Sequence, residues 1–179
     1  METTLFTKCL FEFIGTLVLV LLGDGVVAST VLKRSKGYGG GWVVITMAWG
    51  LAVMCGVLIA GPWSGAHLNP AVSVGLAVAG SFPWAYVPGY IAAQLLGGFC
   101  GAVLVYLYYK DHFDATDEPE TKLGVFCTMP AIMNNPRNSF CEVVGPFLLV
   151  FVILAIGNEQ NTPEIGMGSL GSFPVTMLI

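Results

Sequence analysis

Two carboxyl groups, Glu12 and Glu142, stand inside long apolar runs. An ionisable group in that setting is costly and is by default a functional one, with proton relay among its uses. A second polar feature is Gly61-Pro62-Trp63-Ser64-Gly65-Ala66-His67-Leu68-Asn69-Pro70-Ala71-Val72-Ser73, whose residues end one helix and start another. Asn69 can cap the new helix through its side-chain carbonyl while its NH₂ donates to a solute oxygen. Pro70 suits the first helical position, where a missing N–H leaves nothing unpaired. Gly65, Ala66, His67 and Leu68 carry no helical pattern, so their carbonyls are free to form a ladder of acceptors along one wall. Glycine and alanine keep that wall thin. Enzymatic chemistry lacks its residues. The sequence has no nucleophile–base constellation, no glycine-rich phosphate loop and no Cys/His metal cluster, and His67 and His112 lie in unrelated contexts. Neither a cofactor nor a metal is expected, and catalysis is not.

The elements that must position these groups follow from composition. With 55% hydrophobic and 10% charged residues and a mean hydropathy of +0.78, the chain reads as an all-α, polytopic membrane protein. Its 23 glycines fit that class, because small residues let membrane helices approach closely. The net charge is −4 and the acids cluster in one loop, so no basic patch exists for a nucleic-acid partner. Cys9, Cys55, Cys100, Cys127 and Cys141 are odd in number, show no metal-ligand spacing and read as free thiols. Lys8 ahead of an apolar run has the look of a signal peptide, but Glu12 within the run and the spans that follow argue against cleavage.

Segment one is predicted at residues 10–32, with Asp24 near its outer end read as interfacial. A glycine-rich loop at 33–41 and segment two at 42–60 follow. After Pro70 come about ten apolar or small residues before Gly80-Ser81-Phe82-Pro83, too few for a bilayer, which needs roughly 20. A half-length helix preceded by irregular backbone is tolerated at membrane depth only if buried in protein or lining a wet cavity. It therefore reads as re-entrant, its positive end aimed into the membrane interior, and a path for a polar solute is the natural use. Segment three is predicted at 84–109, where Gly97 and Gly101 share a helix face suited to close packing. A polar loop at 110–139 reads as a solvated connection. Segment four is predicted at 140–156, a short loop at 158–161 leads to Gly166, and a fifth segment is under way at Ile179.

An offset of 130 positions pairs Glu12 with Glu142, Gly15 with Gly145, Val20 with Val150 and Thr46-Met47 with Thr176-Met177. A glutamate-led helix thus opens each half, as an inverted-repeat fold requires. One transmembrane domain, 1–179, is expected: a first repeat at 1–109, a loop at 110–139 and an incomplete second repeat at 140–179. Asn69-Pro70 would recur near position 199, beyond Ile179.

The ten residues from Ser64 to Ser73 closely resemble the first Asn-Pro-Ala loop of the aquaporin, or major intrinsic protein, family, and most of all its glycerol-facilitator branch. The resemblance implies a passive channel for glycerol and related small neutral solutes, with some water. Its setting would be homotetramers in the cell membrane, with the lipid bilayer around them. Asn69-Pro70-Ala71 is then the half-helix motif, and Gly65, Ala66, His67, Leu68 and Asn69 line the pore. Two such asparagines meet at mid-membrane in the family, where paired half-helix dipoles oppose cation passage. Trp49, about seven residues inside segment two, aligns with the tryptophan that narrows the outer filter, where its indole packs on a polyol's carbon backbone. Glu12 and Glu142 each accept hydrogen bonds from an irregular loop and hold it in shape. A cytoplasmic N-terminus is implied, although it leaves six of the seven Lys and Arg outside, the reverse of the positive-inside rule. The second loop, the filter arginine and the sixth helix fall beyond Ile179. A fragment that inserts without conducting is therefore the alternative reading, and an ion-coupled carrier using Glu12 and Glu142 a weaker one.

Overall fold

An apolar run in lipid has no water to satisfy its backbone, so it closes its hydrogen bonds within itself and becomes a helix. In the computed structural model, which describes residues 3–158 and 173–179, all regular structure is helical. The elements are α1 (Leu5–Val31), α2 (Gly41–Ser64), α3 (Pro70–Val78), a 3₁₀ turn (Trp84–Tyr86), α4 (Val87–Tyr108), α5 (Lys110–Ala115), α6 (Pro119–Gly124), α7 (Asn135–Ile156) and α8 (Phe173–Thr176). Four stretches among the described residues are long and apolar enough to span a membrane: α1, α2, the 3₁₀ turn with α4, and α7. Residues 159–172, which hold most of the predicted 158–161 loop and the start of the fifth segment, lie outside the described residues.

Element bounds differ from expectation where local chemistry overrides the apolar pattern. Helix α1 begins at Leu5 because Thr4 caps it, its hydroxyl accepting from the Thr7 N–H at 3.2 Å. Helix α2 runs through Pro62 to Ser64. Leu58's carbonyl forgoes its usual partner there, and Gly65, left-handed at φ 87°, ends the helix with its N–H on Gly61's carbonyl at 3.1 Å. Helix α7 starts at Asn135 rather than 140, since Asn134 caps it and Pro136 fits its first turn.

The 110–139 stretch is not merely a solvated connection. Its acids are exposed, but Phe113, Thr116 and Val125 are buried, the two apolar residues packing with Ala28, Leu32 and Val105. Thr116 Oγ1 accepts from the Lys33 N–H at 2.9 Å, and the Lys33 ammonium meets Glu118 at 2.8 Å. That pairing raises the Lys33 pKa and lowers that of Glu118. Charges on the outer face of this stretch masked an apolar inner face.

Helix α1 is central, packing against both α2 and α4. A Cβ on Gly97 would run into Phe13's carbonyl oxygen, and one on Gly101 would lie 2.7 Å from that of Leu17. Only glycine lets these backbones approach so closely. Gly98, on the neighbouring face, would find its Cβ at an ordinary 3.8 Å from Val20. Gly97→Ala should therefore destabilise by about 1–3 kcal/mol, as over-packing does. Gly98→Ala should be neutral or slightly stabilising, by up to about 1 kcal/mol of helix propensity. Thermal unfolding in detergent separates the two, and equal melting points would dismiss the close-packing role of Gly97.

Candidate functional site

Between α2 and α3 the backbone takes a shape that hydrogen bonds must enforce. Gly65, Ala66 and Leu68 have φ of 87°, 51° and 54°. For the two that are not glycine this costs on the order of 1–3 kcal/mol each. Three consecutive N–H groups of the loop are met by side chains: Ala66 N–H by Ser64 Oγ at 3.0 Å, His67 N–H by Glu12 Oε1 at 2.9 Å and Leu68 N–H by Glu12 Oε2 at 2.8 Å. Glu12 is fully buried and also accepts from Ser64 Oγ at 2.6 Å and from Gln94 Nε2 at 2.8 Å. Every partner is a donor, so both carboxyl oxygens serve as acceptors. Tyr90 adds a 2.7 Å hydroxyl bond to Ser64's carbonyl.

With its N–H groups turned toward Glu12 and Ser64, the loop keeps its carbonyls uncommitted. Among the described residues, the carbonyls of Gly65, Ala66, His67 and Leu68 accept no hydrogen bond. Asn69, in extended backbone at φ −151°, caps α3 with its Oδ1 on the Ala71 N–H at 2.8 Å. Its Nδ2 has no partner among the described residues, an amide assignment that follows from the cap. The His67 ring lies edge-on to Phe82 and tilted against Tyr90, with Nδ1 3.0 Å from Ser73 Oγ. Leu68 fills the space left by Gly15 on α1 and Gly56 on α2, where a Cβ would stand 2.6 and 2.7 Å from its methyls.

Ala66, His67, Leu68, Asn69 and Trp49 line one cavity of about 200 Å³, whose remaining walls are aliphatic, Val53 and Ile153 among them. Gly65 is not on that wall. Trp49 rests its indole where a Cβ on Gly23 would otherwise sit, and it also lines a second cavity of about 750 Å³ that holds Asp24. Asp24 is buried, at 8% exposure. Glu142 is exposed on α7, with no hydrogen bond among the described residues. Sequence reasoning missed Gln94, Tyr90, Ser64 and Ser73 as parts of this network. Gln94 carried a readable signal, a polar side chain in an apolar run, of the kind that marked Glu12.

Removing the shared acceptor should loosen the loop. Glu12→Ala strands two buried backbone N–H groups, each worth about 1–3 kcal/mol, while Glu12→Gln keeps one acceptor oxygen. The expected order of melting temperature in detergent is wild type, then Glu12→Gln, then Glu12→Ala. An alanine variant as stable as wild type would refute the carboxyl's role as the loop's anchor.

The whole chain, residues 1–179, matches the sequence profile of the major intrinsic protein family. It is 55% identical over 151 residues to a Thermotoga maritima protein described as a probable glycerol uptake facilitator, covering 84% of this chain and 64% of that one. Glycerol uptake facilitator protein 3 of Lactiplantibacillus plantarum is 50% identical over 162 residues, covering 90% and 68%. The chain thus spans about two-thirds of the length of these curated relatives. The X-ray structure of the Plasmodium falciparum aquaglyceroporin superposes with a TM-score of 0.85 at 31% identity, over 98% of this chain and 70% of that one. With a half-helix capped by Asn69 and four apolar spans in that fold, the chain belongs to the major intrinsic protein family and is a multi-pass, all-helical protein of the cell membrane.

Proposed function

We propose that the protein is a passive channel that lets glycerol and related small neutral solutes, with some water, cross the cell membrane, as a homotetramer with one pore per subunit. The observation that carries this reading is the shared wall of the two cavities. Trp49 lines both, and the narrower one continues along Ala66, His67, Leu68 and Asn69. Carbonyl acceptors and an Asn69 amide donor that are free among the described residues, with an indole amid aliphatic walls, suit a solute with hydroxyls on one side and C–H on the other. Similarity to glycerol uptake facilitators and to the aquaglyceroporin structure supports it. In this reading Asn69-Pro70-Ala71 forms the half-helix motif, Gly65 lets the pore wall turn, and Glu12 supports the loop. Glu142, placed by the 130-residue offset, takes the same task in the second repeat. No catalytic step is assigned to any of them.

Flux through proteoliposomes tests the proposal. Wild type should raise glycerol flux above that of empty vesicles, with flux linear in the glycerol gradient and independent of ion gradients. Trp49→Ala should lower the ratio of glycerol to water permeability by about fivefold, the effect of losing about 1 kcal/mol of ring contact. No flux above empty vesicles would replace the channel by a non-conducting fragment. Saturation or ion dependence would replace it by a carrier.

A further inference from the structure

We propose that Asp24 is a solute-binding residue in the wider cavity, accepting hydroxyl hydrogen bonds from a small polyol before it reaches Trp49; the inference deepens the channel reading and rests on it. Asp24 is more than nine-tenths buried, yet it lines a cavity of about 750 Å³. Among the described residues its carboxyl makes no ion pair, and no hydrogen bond to it is seen. A carboxyl without partners in apolar surroundings is expensive unless something completes it. Among the described residues it is also the one charged side chain on that cavity's wall.

The neighbouring groups indicate what completes it. Thr30 and Thr46, on the same wall, give their hydroxyl protons to carbonyls of their own helices, at 3.0 Å to Val26 and 3.2 Å to Val43. On the α1 and α2 side of the wall they present acceptors, as Asp24 does, so a ligand held there must bring donors. A hard cation would need about six oxygen ligands, and one carboxyl does not gather them. Gly23, the preceding residue, is the seat of the Trp49 indole, and Asp24 and Trp49 line the same cavity. An acceptor beside an aromatic face binds a polyol as many sugar sites do, hydroxyl to oxygen and C–H to ring.

A hydrophobic carbodiimide, which modifies buried carboxyls, reads occupancy directly. Membranes holding the full chain are treated with the reagent alone, with glycerol or with propan-1-ol, and the Asp24 peptide is quantified by mass spectrometry. Asp24 should be labelled, and glycerol at twice its dissociation constant should slow labelling by about threefold, while propan-1-ol, of similar size but with one hydroxyl, should not. No labelling, no protection, or equal protection by both alcohols would overturn the assignment. Flux without protection removes the Asp24 site and leaves the channel. Protection without flux removes the channel and leaves a polyol site.

Discussion

A stretch of non-helical backbone at membrane depth must find partners for its N–H groups inside the protein, because lipid offers none. Here a carboxyl from a helix more than fifty residues earlier supplies two of the three, at His67 and Leu68. The arrangement separates the two kinds of backbone group. N–H groups point at Glu12 and Ser64, which leaves the carbonyls of Gly65 to Leu68 without partners among the described residues. Burying a carboxyl is costly in isolation, but four donors surround this one, and Gln94 from α4 is among them. One side chain thus ties together α1, the end of α2, the loop and α4.

Helix α1 serves this centre through a single stripe. Glu12, Gly15, Leu19 and Gly23 recur at spacings of three and four, which puts them on one helix face. Glu12 holds the loop backbone, Gly15 makes room for Leu68, Leu19 lines the narrow cavity and Gly23 seats the Trp49 indole. A second stripe, through Phe13 and Leu17, lies against Gly97 and Gly101 of α4. The spacing of the helix therefore places loop support and indole seat in line, and the glycines decide how near each neighbour comes.

Local signals made much of this readable in advance. An Asn-Pro pair is a cap followed by a first turn, and it located α3 as Pro70–Val78, close to the predicted span. Trp49 stood deep in its segment, and its ring lines both cavities. What stayed hidden depends on partners distant in sequence. Gln94 reaches Glu12 across 82 positions and Tyr90 reaches Ser64 across 26, and no periodicity encodes such pairings. The fold of residues 110–139 was hidden for a different reason. Asp111, Asp114, Asp117, Glu118 and Glu120 dominate its composition, and the few buried residues among them are too sparse to set a pattern.

The placement of charge bears on which solutes the two cavities favour. The narrow cavity is lined by neutral side chains, and the N-terminus of α3, whose cap Asn69 is on its wall, adds a partial positive charge. A cation entering there would lose water and meet a repulsive potential with only dipolar carbonyls in return. A neutral polyol loses less on dehydration and can use the same carbonyls together with the Asn69 amide. Among the described residues the one side-chain carboxyl on either wall, Asp24, lies in the wider cavity, where a solute can still keep part of its water. In the proposed channel an acceptor there would gather hydroxyls without setting a charge in the narrow cavity, so attraction and exclusion would act at different places.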